Sequence, residues 1–430
     1  MDLHYDADGA PQPVGVRRVM TIGCNPHPMA LRCSDAPEFS AFASAAAAYR
    51  HPPLPAAEQL PRLPRGVVMC VSDTMMLSAY TVVRLLRSHG CTLPVELWSF
   101  EGEVTARTSA LTDQLVAEHG AVMRTIHMTK EALCHDVRRC FGAKPYSLFH
   151  SRFDQVMLLD ADNFPVRDPT YLFDTLEFRD TGALFWPDFW HPRDTIFQVH
   201  RANMVWELLG IPFVDMFEQE SGQLLVDRTR HEAPLHLVMY YAKPENLLWR
   251  WNLVWGDKDL YRLAWMRAGA AFHMVQTPPG AAGQYMSKYF CGQTIVQHDP
   301  AGRPVFFHRN TYKLGVEPAS REPIWDGYLA YRGSDPLRDY RIESWSSPPN
   351  RSPFKSSSCF GRRSPVVNGS ADWEYVPLRG HPQLGDLEGV ILDFAEDPLQ
   401  VAHHPQPPHP KQPQQQPPRE TSRLRRGMLP

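Results

Sequence analysis

Apolar positions alternate between two rhythms from about residue 66 onward. Unbroken apolar runs of strand length stand at "GVVMCVS" (66–72), "LPVELWSF" (93–100) and "DQVMLLDAD" (154–162). They are rich in Val and Leu and carry no polar alternation, as expected of strands buried on both faces. Between them the spacing lengthens to that of a helix. In "MMLSAYTVVRLLRSHG" (75–90), Leu77, Tyr80, Val83 and Leu86 share one face, and Gly90 supplies a stop. "SALTDQLVAEHGA" (109–121) predicts a second helix ending at Gly120, "EALCHDVRRCFG" (131–142) a third, and "KPYSLFHSRF" (144–153) one leading into the third strand. Further strands are predicted at "GALFWPD" (182–188), "ESGQLLVD" (220–227) and "RPVFFHRN" (303–310), with helices at "APLHLVMYYAK" (233–243) and "GDKDLYRLAWMRAG" (256–269). Strand and helix in alternation predict an α/β fold, an open sheet of mostly parallel strands flanked by helices.

Residues 1–64 are rich in Ala and Pro and run into "HPPLPAAEQLPRLPR", which reads as a disordered leader and linker. The folded domain is expected over 65–345. Residues 346–430 turn Ser/Pro-rich and too poor in apolar groups to order themselves, save for "LEGVILDFAEDP", expected to dock as one short element. No run of 18 apolar residues predicts a transmembrane segment. The first residues, "MDLHYDADGAPQPVGVRR", contain acids and no apolar stretch, so no signal peptide is read there.

Composition adds exclusions. The chain has 430 residues, 43% hydrophobic and 21% charged, with a net charge of -3. No basic stripe points to nucleic acid. Eight cysteines include no CxxC pair, which excludes zinc-ribbon and thioredoxin readings and leaves pairing open; Cys70, in an apolar strand, reads as a buried free thiol. Asn350 and Asn368 begin glycosylation sequons.

The chemistry concentrates where "VMLLDADNFPVRDP" ends its strand on Asp160 and Asp162. Ligands of an open α/β sheet bind beyond the carboxyl ends of strands. Two carboxylates two positions apart on extended chain face the same way, about 7 Å apart at Cα, and suit Mg²⁺ or Mn²⁺. The bland alternative makes Asp160 a turn cap and pairs Asp162 with Arg167. A haloacid-dehalogenase phosphatase motif is the weaker alternative: Phe164 stands where that motif needs a small or β-branched residue, and the acids come late after the first strand where that motif opens its domain.

In order, "VMLLDADNFPVRDPTYLFD", "GALFWPDFW", "ESGQLLVDRTRH", "GDKDLYRLAW" and "FFHRN" resemble the fungal-type α-1,3-mannosyltransferases of glycosyltransferase family 71 and, distantly, glycogenin-like retaining transferases. The resemblance covers about 66–313. It implies a GT-A (Rossmann-like) open mixed sheet, retention of anomeric configuration, and Mn²⁺ or Mg²⁺ held by Asp160, Asp162 and His308. It implies a nucleotide-sugar donor, GDP-mannose, contacted by Lys144, Asp160, Ser221 and Gly222, and a glycan or glycoprotein acceptor carrying an α-mannoside. Asp257 and Gln223 would act on the donor sugar, with helix capping as the alternative for Asp257 and Asp259. Asp188, Trp186 and Trp190 would meet the acceptor. Glu220 stands where several relatives have Asn or Cys. The implied location is the Golgi lumen. A UDP-sugar transferase and a catalytically silent glycan-binding member are the competing readings.

Overall fold

The computed structural model describes residues 33–136, 140–197, 199–286, 289–346, 358–361 and 372–403. The three apolar runs become β1 (Leu63–Cys70), β2 (Val95–Phe100) and β4 (Phe153–Leu159), and β3 (Ala121–Ile126), which the pattern did not predict, lies between β2 and β4 in the chain. A short β5 (Asn163–Pro165) turns away, followed by β6 (Ala183–Pro187), β7 (Gln219–Asp227) and β8 (His273–Met274). Apart from β5 they form one sheet in the order β3-β2-β1-β4-β7-β6-β8. β1, β2, β3 and β4 are parallel, while β7 runs antiparallel to both β4 and β6. The expected open α/β sheet is therefore observed, and it is mixed.

Helices cover both faces. They are α1 (Ala36–Ala48), α2 (Met76–Ser88), α3 (Ser109–His119), α4 (Lys130–Leu133), α5 (Ala143–His150), α6 (Leu176–Thr181), α7 (Val205–Leu209), α8 (Glu232–Tyr241), α9 (Leu247–Arg250), α10 (Leu260–Ala268), α11 (Pro336–Asp339) and α12 (Leu387–His403). Alternation along each strand divides the core in two. Met157 and Leu159 of β4 pack with Val83 and Leu86 of α2 on one face; Val156 and Leu158 pack with Val238 of α8 and Leu263 of α10 on the other. Burying each such side chain contributes about 1.5–3 kcal/mol.

A second, antiparallel sheet carries β9 (Gly280–Met286), β10 (Tyr289–His298), β11 (Pro304–His308), β12 (Gly327–Tyr331), β13 (Glu343–Ser346), β14 (Ser358–Gly361) and β15 (Trp373–Pro377). Its order is β13-β14-β10-β9-β12-β15, with β11 pairing both β10 and β5. Of these strands the sequence pattern revealed β11 alone.

Three expectations are corrected. The leader contains α1, whose Phe42 and Ala46 are buried against the body. The Ser/Pro-rich tail supplies β14 and β15 besides α12, the one element expected there. A strand added to an existing sheet borrows its neighbours' core, so low apolar content does not keep it unfolded. The helix expected over 131–142 stops at Leu133, because Cys134 is disulfide-bonded to Cys140 with their Cα atoms 4.9 Å apart. Six residues of helix would separate them by about 9 Å. Cys291 pairs with Cys359, while Cys70 and Cys91 are free thiols; Cys70 is part-buried, with its sulfur 3.3 Å from Ser147 Oγ. The two sequons lie outside the described residues. Among the described residues no helix is long and apolar enough to cross a membrane.

Candidate functional site

The sheet order reverses direction between β1 and β4, and there a crevice opens at the carboxyl ends of the strands. Asp160 is the first residue after β4, its N–H donating to Gly222 O at 2.8 Å. The chain turns on the Asn163 N–H to Asp160 O bond, 3.0 Å, and enters β5. β5 pairs with β11 so that Asn163 lies opposite His308. That long-range pairing brings the imidazole back to the two acids. Ligating atoms of Asp160, Asp162 and His308 fall within 4.8 Å of one another, with His308 Nε2 3.2 Å from Asp162 Oδ1 and 3.7 Å from Asp160. Two carboxylates and one imidazole converging in this way fit Mn²⁺, or Mg²⁺. The pairing of Asp162 with Arg167 is not observed; Arg167 donates to Pro304 O and Gln383 instead.

Glu220 completes the imidazole's surroundings. His308 Nδ1 lies 3.4 Å from Glu220 Oε1, and that same oxygen accepts the Gly222 N–H at 2.7 Å. A carboxylate at Nδ1 fixes the ring so that Nε2 faces Asp160 and Asp162. Gly222 is needed here for space: a Cβ would stand 2.4 Å from His308 Nδ1. The glycine thus makes room for the imidazole, a role the sequence reading had not given it.

Lysines hold the acids. Lys144, at the start of α5, lies 2.9 Å from the Asp160 carboxylate and 3.5 Å from Asp257, and donates to Ser221 O and Oγ. Lys313 pairs with Asp162. Burial opposes charge on His308, but Asp162 and Glu220 outweigh it and raise the imidazole to about 10. Burial likewise works against the Asp162 carboxylate, yet Lys313 and His308 hold it far below the usual range. Burial raises Asp257, against the pull of Lys144. Asp257 accepts from Tyr261 OH at 3.0 Å and faces the crevice, so it is not a helix cap.

Asp160, Asp162, His308, Lys144, Ser221 and Asp257 all line one cavity of about 780 Å³. Gln223 does not join them. It is fully buried, its Oε1 accepting from Asn163 Nδ2 at 2.6 Å, so the structure places it beneath the site. Strand alternation alone did not reveal that Asn163 would claim the amide. Trp186 is also core, donating to His298 O, whereas Asp188 and Trp190 line the cavity. Asp259 is buried and accepts from the Gln219 N–H and from Arg262. Lys313 and Lys258 were not singled out by sequence: Lys313 lies outside the quoted blocks, and Lys258, although inside "GDKDLYRLAW", meets Asp188 and Glu218 only through pairings far along the chain. Lys258 Nζ lies 2.9 Å from Asp188, 2.5 Å from Glu218 and 3.3 Å from Asp259. Burial is the main reason that Asp188 rises to about 7; Lys258 opposes the rise, and Glu220 and Glu218 add to it.

A family model described as "Mannosyltransferase putative" matches residues 64–299. The chain is 25% identical over 273 residues to the alpha-1,2-mannosyltransferase MNN2 of Saccharomyces cerevisiae, covering 54% of this chain and 45% of that protein. It is 25% identical over 288 residues to the alpha-1,2-mannosyltransferase MNN5 of the same species, covering 54% and 48%. The chain therefore spans about half the length of the curated relatives it matches. Among solved structures, the S. cerevisiae mannosyltransferase Ktr4p in complex with GDP aligns with a TM-score of 0.35 at 10% identity, covering 60% of this chain and 82% of that one.

Proposed function

The chain belongs to this mannosyltransferase family, and on that premise we propose that it moves mannose from GDP-mannose onto an α-mannoside of a glycan or glycoprotein, using a divalent cation. The observation that carries the reading is the convergence of Asp160, Asp162 and His308 in the cavity at the sheet's switch point. A cation held by these three residues supplies charge neutralisation to the departing diphosphate. Lys144 and Lys313, already paired to the two acids, are placed to take phosphate oxygens as partners. Asp257, held by Tyr261, accepts hydroxyl protons of the donor sugar.

Guanine rather than uracil is supported at the β2–β3 end of the cavity. There Glu103 Oε1 and Lys130 Nζ lie 2.8 Å apart beside Phe100 and Ile126. Guanine presents an oxygen acceptor next to adjacent N–H donors. A carboxylate beside an ammonium matches that edge, whereas uracil has a single N–H between two carbonyls and engages the carboxylate once. Retention is read as attack from the face that the diphosphate leaves. Asp160, Asp188, Glu220 and Asp257 are each held by a lysine, a backbone N–H or a tyrosine, which supports this reading over a covalent intermediate on a carboxylate.

Two disulfides suit an oxidising compartment, which supports a secretory-pathway lumen, the Golgi by resemblance. The test is turnover by the full chain with Mn²⁺ of GDP-mannose, UDP-glucose, UDP-galactose and UDP-N-acetylglucosamine. The expected result is turnover of GDP-mannose, lost in Asp162→Ala. Glu103→Gln should weaken GDP about 10-fold, within the roughly 1–3 kcal/mol of a two-pronged base contact, and weaken UDP, which meets the carboxylate once, by less. Turnover of a UDP-sugar would discard the donor assignment. A folded protein that binds no donor would make it a silent glycan binder.

A further inference from the structure

Beyond the donor, and resting on the transferase reading above, we propose that the opposite end of the cavity is a binding subsite for an acceptor pyranose, with Trp255 as its stacking platform and Asp188 as its hydroxyl partner.

The cavity is chemically divided along the sheet order. The Glu103–Lys130 pair lies by β2 and β3, and the acid–imidazole cluster follows β4. Two strands further across, Asp188 and Trp190 follow β6, about 10 Å from the cluster at ~4.8 Å per strand. That distance leaves room for the donor sugar and one acceptor ring.

At this far end the lining turns aromatic. Trp255 is 45% exposed and stacks on Phe197, with ring centroids 5.4 Å apart and planes 23° from parallel. Phe197 is backed by Lys258, whose ammonium lies 4.4 Å from the ring centroid. Lys258 is itself fixed by Asp188, Glu218 and Asp259. A buried ion cluster therefore sets the position of an open indole face. Such a surface needs no ordering when a ligand arrives, which preserves affinity.

Trp190 closes one side, with Phe197 6.1 Å away and Phe360 6.4 Å away between centroids. Asp188, in the same wall, keeps one oxygen on Lys258 at 2.9 Å and the other on the Phe189 N–H at 2.7 Å. The remaining lone pairs of that carboxylate can accept hydroxyl protons. A wide aromatic face beside one oriented carboxylate matches a pyranose, with its C–H face and its rim of hydroxyls. A lipid tail would leave the carboxylate unmatched. The same loop sends Trp255 to this end and Asp257 to the cluster, so acceptor and donor sugars are registered by residues two positions apart.

Trp255→Ala tests the proposal, since an exposed side chain can be removed without disturbing the core. With α-mannobiose as acceptor and Mn²⁺ present, KM should rise at least 10-fold. The GDP dissociation constant, measured by calorimetry, should stay within 2-fold, and Trp255→Phe should recover most of the loss. An unchanged KM for mannobiose, with normal GDP binding, overturns the subsite. If wild-type protein turns over no donor, the transferase reading fails separately and mannobiose binding is read by calorimetry. Binding lost in Trp255→Ala then sustains the subsite, and no binding to wild type overturns it.

Discussion

A methyl group on Gly222 would stand 2.4 Å from His308 Nδ1, so Gly222→Ala must push the imidazole off the two aspartates. Overpacking of this kind costs about 1–3 kcal/mol, and Mn²⁺ affinity should fall by more than 10-fold, read by paramagnetic resonance titration. Glu220→Gln separates orientation from space. It keeps the volume but removes the charge at Nδ1, and loss of such an outer partner weakens metal binding about 10–100-fold. Wild-type affinity in Glu220→Gln would remove Glu220 from the site. Asp160 and Asp162 were legible because an apolar strand ending in two spaced acids is a local signal. Glu220 and Lys313 were not, because their partners are His308 and Asp162, 88 and 151 positions away, joined only once β5 pairs with β11. Gln223 was misplaced for a related reason: its partner Asn163 belongs to the same long-range junction.

The helix carrying Lys144 is clasped at its other end by histidines. His51 Nε2 and His150 Nε2 lie 3.0 Å apart, and the His51 N–H donates to His236 Nδ1 on α8. Burial lowers His51 to about 4 and His150 to about 3, and each ring is further depressed by its histidine neighbours. Both folded values lie below the ordinary value near 6.5. At pH 7 neither state is protonated; as pH falls below about 6.5 the unfolded chain takes up protons first and stability drops. The stability advantage of wild type over His150→Gln, from urea unfolding, should therefore shrink between pH 7 and pH 5, and a constant difference would refute a neutral clasp. Most strands and helices of the first sheet were readable because each has its own apolar period; β3, buried only at its two ends, and the two-residue β8 offered none. The second sheet was not: β9 and β10 are interrupted by glycines that serve close backbone approach, and a Cβ on Gly283 would sit 1.9 Å from Cys291 O. Only the partner strand explains such a glycine.

Across the whole molecule, α12 braces the loop that leads from His308, at the end of β11, to β12. Leu387, Ile391 and Ala395 are buried in the same core as α2, while Arg84 pairs with Asp397 and lies over Phe394. Glu388 accepts the N–H groups of Ile324 and Trp325 at 2.8 and 3.0 Å and lies 3.8 Å from Arg309. Arg309 in turn donates to Tyr312 O, Ser320 O and Glu322 O, and Glu396 holds Arg321. Lys313, which pairs with Asp162, is carried by this fastened loop. The tail thus acts on the site without touching it. Ile391→Ala should cost about 2–5 kcal/mol through the cavity it leaves. Glu388→Ala strands two backbone donors, each such loss costing about 1–3 kcal/mol, and removes the counter-charge beside Arg309. The two variants differ in where the damage goes. Hydrogen exchange should quicken at 310–325 in Glu388→Ala under native conditions, and weakened GDP binding should accompany it. Ile391→Ala should quicken exchange along α12 and α2 first. Unchanged protection of 310–325 in Glu388→Ala would mean that the loop holds its own shape and that α12 serves the core alone.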